Sequence, residues 1–194
     1  MLTNFITQKY SRQGLWSLFL VCAFPLHFWT LILVFRDISW LTERTNLWDA
    51  VGVASYGMVF AFVESLLIFL VAAFSGLFIP KGWPSDRRIA FLALLVLLAS
   101  AWAMVSQLLF LWNVSLPVQA IQFLRESGHP LRILYAGSLL MVSVTILLPV
   151  YLFLRSKKSV VMMQGLMERL SLLTMLYLFF DVLGLMIVII RNIN

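Results

Sequence analysis

Residues 50–79 read AVGVASYGMVFAFVESLLIFLVAAFSGLFI, an apolar run broken by one charged residue, Glu64. The hydrocarbon core of a bilayer, about 30 Å thick, is crossed by about 20 apolar residues in a helix. This run exceeds that length, so it predicts a transmembrane helix that tilts or extends past the interface. Four further stretches meet the same length, near 14–36, 89–113, 131–154 and 169–190. The expected fold is all-α: five transmembrane helices in a bundle, forming a single transmembrane domain over residues 1–194.

Composition points the same way. The chain is 62% hydrophobic and 11% charged, with a mean hydropathy of +0.99, whereas soluble domains are about 45–50% apolar and about 25% charged. No stretch is left over for a separate water-soluble core, so function is expected in the bundle or its short loops. The lone Cys22 excludes an intramolecular disulfide and reads as a small packing residue. Two histidines, with no CxxC and no HExxH, argue against a metal or haem cage built by this chain alone. No Gly-rich phosphate loop appears, and no nucleophilic triad has a diagnostic spacing. The sequence therefore specifies no cofactor.

The net charge of +6 sits in short segments beside the spans, where topology and anionic lipid account for it better than nucleic acid does. Lys9, Arg12, Lys81, Arg87, Arg88, Arg155, Lys157, Lys158 and Arg169 fall on one side, against Arg36, Arg44, Arg125, Arg132 and Arg191 on the other. Positive charge is retained in the cytoplasm, so the N-terminus is expected inside and the C-terminus outside, in a plasma membrane of bacterial type. The first span follows Lys9 and Arg12 as a signal peptide would. Its apolar run is too long and lacks a small-residue cleavage pattern, so it is expected to be a retained anchor. Arg155, Lys157 and Lys158 are expected to form a basic loop that binds anionic headgroups and leads into a short amphipathic stretch over 159–163.

In the third loop, Pro117 can start a short helix that Gly128 ends and Pro130 stops. Val118, Ile121 and Leu124 share one face, as expected of an interfacial helix. Ser85 is a plausible N-cap for the third span. Trp40, Trp48, Trp83 and Trp112 lie near span ends, like an aromatic belt. The sequon Asn113-Val114-Ser115 hugs the third span too closely to be expected as a glycosylation acceptor.

Ionisable residues within the spans single out the candidate site, because a central acidic residue costs roughly 2.5–3.5 kcal/mol on insertion scales. At 1.5 Å rise per residue, Glu64, Asp181 and His27 lie about 22, 18 and 20 Å from the inner ends of their spans. They are expected in one layer near the midplane. Thr174, Tyr177, Asp181 and Gly184 form one polar stripe on the fifth span. Gly57 and Ala61 place small side chains near the face of Glu64, and Ala99, Ala103 and Gln107 make a comparable stripe on the third span. The simplest arrangement turns all three stripes inward. Pro25 removes a backbone donor close to His27. No Lys or Arg lies deep in a span, so two ionised acids have at most the imidazolium of His27 to meet them. A carboxyl must be protonated, or a cation, a ligand or a partner must supply the charge.

Three functions are open at this point. The first is a non-enzymatic polytopic subunit of a larger membrane assembly, partnered by other membrane subunits or by further copies of itself. The second is a small proton- or cation-coupled transporter or channel component that uses Glu64 and Asp181. The third is a pigment-, quinone- or haem-binding subunit or a membrane-embedded enzyme, with His27 as acid, base or ligand.

Overall fold

The computed structural model describes residues 10–80 and 82–193, so Lys9 and Lys81, both used in the charge count, lie outside the described residues. Among these residues six α-helices follow one another: α1 (Arg12–Arg44), α2 (Leu47–Ser75), α3 (Ser85–Leu111), α4 (Val118–Glu126), α5 (Pro130–Arg155) and α6 (Lys157–Ile193). A 3₁₀ turn, Gly76–Phe78, extends α2. Among the described residues there is no strand, and every helix except α4 is long and apolar enough to cross a membrane. The protein is an all-α integral membrane bundle.

Local chemistry sets the helix ends. The Ser11 hydroxyl caps α1 by accepting from the Gly14 N–H at 3.0 Å, and the Asn46 side-chain Oδ1 caps α2 by accepting from the Asp49 N–H at 2.9 Å. Ser85 does not cap α3. It lies inside the first turn, after Pro84, and its hydroxyl accepts from the Ser11 N–H at 3.1 Å, tying α1 to α3. At the far end of α3, Asn113 takes a left-handed φ of 46°. The Val114 N–H then reaches the Leu109 carbonyl and the Asn113 N–H the Phe110 carbonyl, which closes the helix in a Schellman motif. Pro117 precedes α4 and Gly128 follows it at φ 68°, while Pro130 opens α5. On α4, Leu124 is buried but Val118 and Ile121 are exposed, so its apolar face projects beyond the bundle.

The first helix is the hub. Leu18, Phe19, Leu20, Val21, Cys22 and Ala23 are all buried, which requires neighbours on every side, and α2, α3 and α6 supply them. Helices α1 and α6 run parallel: the Thr174 hydroxyl donates to the Leu20 carbonyl at 3.0 Å, and seven residues further along both chains His27 meets Asp181. Helices α2 and α6 run antiparallel. Gly184 faces the backbone of Ser55, where an added Cβ would lie 3.2 Å from the carbonyl oxygen.

Both ends of the bundle are tied by polar contacts. On one side the Tyr10 hydroxyl donates to the Ala73 carbonyl at 2.7 Å, and the Arg87 guanidinium donates to the Leu154 carbonyl at 2.9 Å. Burial pushes the Tyr10 hydroxyl above its ordinary pKa, and the charge of Arg88 pulls it partly back. On the other side Arg191 donates to the Trp48 carbonyl at 2.6 Å and to the Asp49 carboxylate at 2.7 Å. Gly52 makes room for that guanidinium, since a Cβ there would sit 2.6 Å from its central carbon.

The expected basic loop before the last span is absent as a loop. Ser156 alone separates α5 from α6, and the stretch 159–163 forms the first turns of α6. Met163 and Met167 are buried in one cluster with Phe153, and this packing keeps the chain helical there. Arg155, Lys157 and Lys158 remain exposed at the junction. The 37 residues of α6 span about 55 Å, well beyond a hydrocarbon core of about 30 Å.

Gly184→Leu would drive a side chain into the Ser55 backbone and part α2 from α6, an overpacking that costs roughly 1–3 kcal/mol. Cys22, the one thiol, is buried and reports unfolding through its reaction with a thiol dye. The variant is expected to expose Cys22 several degrees below the wild type in a detergent melt. An unchanged melt would show that the α2–α6 approach is not tight.

Candidate functional site

The polar stripe of α6 faces inward, as its spacing predicts. Thr174, Asp181 and Gly184 are buried, and Tyr177 is half-buried at the edge of the same seam. The Thr174 hydroxyl is held between the Leu20 carbonyl at 3.0 Å and the Leu170 carbonyl at 2.8 Å. The Tyr177 ring stacks against His27 with centroids 6.0 Å apart and a 10° interplanar angle, and it also lies against Phe24.

His27 is fully buried halfway along α1. Its Nδ1 lies 2.8 Å from the Ala23 carbonyl oxygen, and its Nε2 lies 2.8 and 3.1 Å from the two carboxyl oxygens of Asp181. A carbonyl oxygen can only accept, so Nδ1 carries a proton. One further proton must lie between Nε2 and the carboxyl, since two bare lone pairs do not approach to 2.8 Å. Whether that proton rests on nitrogen or on oxygen, the pair as a whole is neutral. That satisfies the requirement that no net charge be stranded in hydrocarbon. Both ring nitrogens are committed, so in this arrangement neither offers a lone pair to a metal or a haem. Among the described residues no cluster of three His, Cys, Asp or Glu side chains is placed to hold a metal ion.

Glu64 does not join this pair. The buried face of α2 is Met58, Ala61, Ser65 and Ala72, and Glu64 lies off that stripe, exposed on the outside of the bundle. The small residues near it turn toward α1 instead: Gly57 packs on Thr30, and the Ser65 hydroxyl satisfies itself on the Ala61 carbonyl. The three-member layer is therefore a two-member pair plus a separate acid. The acid is also not level with the pair. Helix α2 runs antiparallel to α1, with Thr30 beside Gly57 and Tyr10 bonded to Ala73. This register sets Glu64 about 8 Å from the level of His27 toward the Arg12 end of α1, and about 14 Å from the level of Arg12, well inside the apolar length of the helices. Glu64 has no hydrogen-bond or ionic partner among the described residues.

The third expected stripe also stays outside the seam. Ala99, Ala103 and Gln107 are exposed. With Pro25 and Trp29 they line a groove of about 540 Å³ between α1, α2 and α3. The small side chains of Ala99 and Ala103 open a furrow that no other described helix fills. A second groove, about 1000 Å³, runs between α1, α2 and α6, with Asp181 on its wall and Arg12 at one end.

Sequence reasoning did not find the Arg191–Asp49 ion pair or the role of the Ala23 carbonyl in fixing the histidine. Gly52 gave no separate signal, because Ala50, Ala54, Ser55 and Gly57 beside it are small as well. The chain matches no known protein family, and neither a characterised protein nor a solved structure matches it.

Removing one member of a buried pair strands the other at a cost of about 3–5 kcal/mol, whereas replacing both with apolar groups is close to neutral. His27→Leu is thus expected to lower the melting temperature sharply, and His27→Leu with Asp181→Leu to recover most of that loss. Losses that simply add would show that the two side chains do not act as a unit.

Proposed function

We propose that the protein is a non-enzymatic subunit of a larger membrane assembly, and that it meets its neighbours inside the bilayer. The observation that supports this most is Glu64: an ionisable side chain on the outer face of a transmembrane helix, at hydrocarbon depth, with no partner among the described residues. Intramembrane carboxyls that face lipid are costly, and a neighbouring subunit is the ordinary means of satisfying them. The buried pair has both histidine nitrogens occupied, so it fits a bundle-locking role better than acid–base chemistry.

In this reading the N-terminus is cytoplasmic and the membrane is a plasma membrane of bacterial type, with Arg155, Lys157 and Lys158 on anionic headgroups. Glu64→Leu is expected to keep Cys22 protected while the protein shifts to a smaller species on native gels of mildly solubilised membranes. A wild-type protein that already runs alone from its native membrane would overturn the proposal.

A second reading, a proton-coupled transporter component, draws support from Asp181 lining the groove between α1, α2 and α6. It requires that Asp181→Asn abolish a pH-driven flux in liposomes while leaving folded protein. Normal flux in that variant would remove it. Glu64 has no place in this version, because it faces away from the pair.

A further inference from the structure

The structure points to the kind of partner that covers Glu64, and the inference rests on the subunit reading. We infer that the α2 face carrying Phe60, Glu64 and Leu67 docks a transmembrane helix of a different protein, one that presents a basic side chain at the depth of Glu64. Phe60 and Leu67, a turn to either side of the acid, are 66% and 58% exposed. The face is therefore bulky and apolar around one carboxyl, a surface that packs against a helix and is unsuited to water.

Charge decides which helix. The carboxyl lies about 14 Å from the level of Arg12 along α1, farther than a glutamate side chain reaches, so it cannot snorkel to the interface. A second copy of this chain offers no complement. No Lys or Arg occurs in residues 13–35, 50–78, 89–111, 133–154 or 170–190. The one deep imidazole, His27, is fully buried and already paired with Asp181. A homodimer through this face would set acid beside acid. Lipid offers only hydrocarbon at that depth. A foreign helix with a central Lys or Arg has the reciprocal problem, a cation with no anion. Bringing the two together neutralises both.

The test uses the full-length protein in phosphatidylcholine vesicles and a synthetic leucine–alanine transmembrane helix with one central Lys, labelled for energy transfer. The same helix with Leu in place of that Lys is the control. The Lys helix is expected to associate at least about tenfold more tightly than the control. Glu64→Leu, with Cys22 still protected, is expected to erase the difference, and adding Leu139→Glu on α5 to that variant should not restore it. Equal association of the two helices overturns the inference, as does full restoration by Leu139→Glu, which would make any exposed carboxyl sufficient. Glu64-dependent self-association of the wild type in the same vesicles overturns it in favour of a second copy. If the Lys helix fails while the native assembly still forms, this inference alone falls. If no assembly exists, the subunit reading falls with it.

Discussion

Hydrocarbon does not tolerate net charge, and much of this bundle is arranged around that prohibition. At mid-depth the two ionisable groups turned into the interior, His27 and Asp181, are arranged so that their charges sum to zero. His27 is pinned at Nδ1 by the Ala23 carbonyl, and Nε2 and the Asp181 carboxyl hold one proton between them. Ala23 lies one turn before His27 on the same helix, so the carbonyl that orients the ring is local. The carboxyl that completes it comes from the far end of the sequence, on α6. Joining first and last spans at mid-depth makes the pair a closure for the whole chain.

That closure is supported at intervals along α1 and α6. The Thr174 contact, two turns nearer the Arg12 end of α1, shares the register of the pair, so the two helices can neither slide nor rotate without breaking both. Toward the other end, α6 is clamped to α2, first by the close approach of Gly184 to Ser55 and then by Arg191 on Asp49. Helix α5 is fastened more lightly, by the Arg87 guanidinium on its Leu154 carbonyl at one end. Phe153 is its one buried residue, with the Trp102 indole donating to the Thr145 hydroxyl as a lateral tie to α3.

The number and approximate positions of the spans were legible because hydropathy over about 20 residues is a one-dimensional property, whereas the polar extensions of α1 to Arg44 and of α6 back to Lys157 carry no such signal. The inward stripe of α6 was legible for a related reason: Thr174, Tyr177, Asp181 and Gly184 repeat at helical spacing on a helix with little else polar. Small residues near Glu64 do not mark its own face, which is why the sequence alone sets the acid wrongly. Gly57, Ala61 and Ser65 instead mark the face that α1 approaches, and Glu64 is off that line. Depth was misjudged for the same acid because α2 overruns the bilayer thickness, so counting from its end does not fix its height. The pairing of His27 with Asp181 depends on which helices are neighbours, and a single sequence carries no direct signal for that. The continuity of α6 back to Lys157 was missed because the basic cluster looked like a loop, although one residue suffices to turn the chain.

The same continuity gives α6 a mechanical character. No proline interrupts it, and the stretch from Lys157 to Asp181 is a rod of about 36 Å. One end stands among exposed basic side chains, while the other holds half of the central hydrogen bond. Between these ends Met163 and Met167 are packed in the core and Thr174 is bonded to α1, so the rod is anchored along its length and not at its tip alone. The helix is thus one unbroken strut that joins the exposed basic cluster to the buried histidine contact.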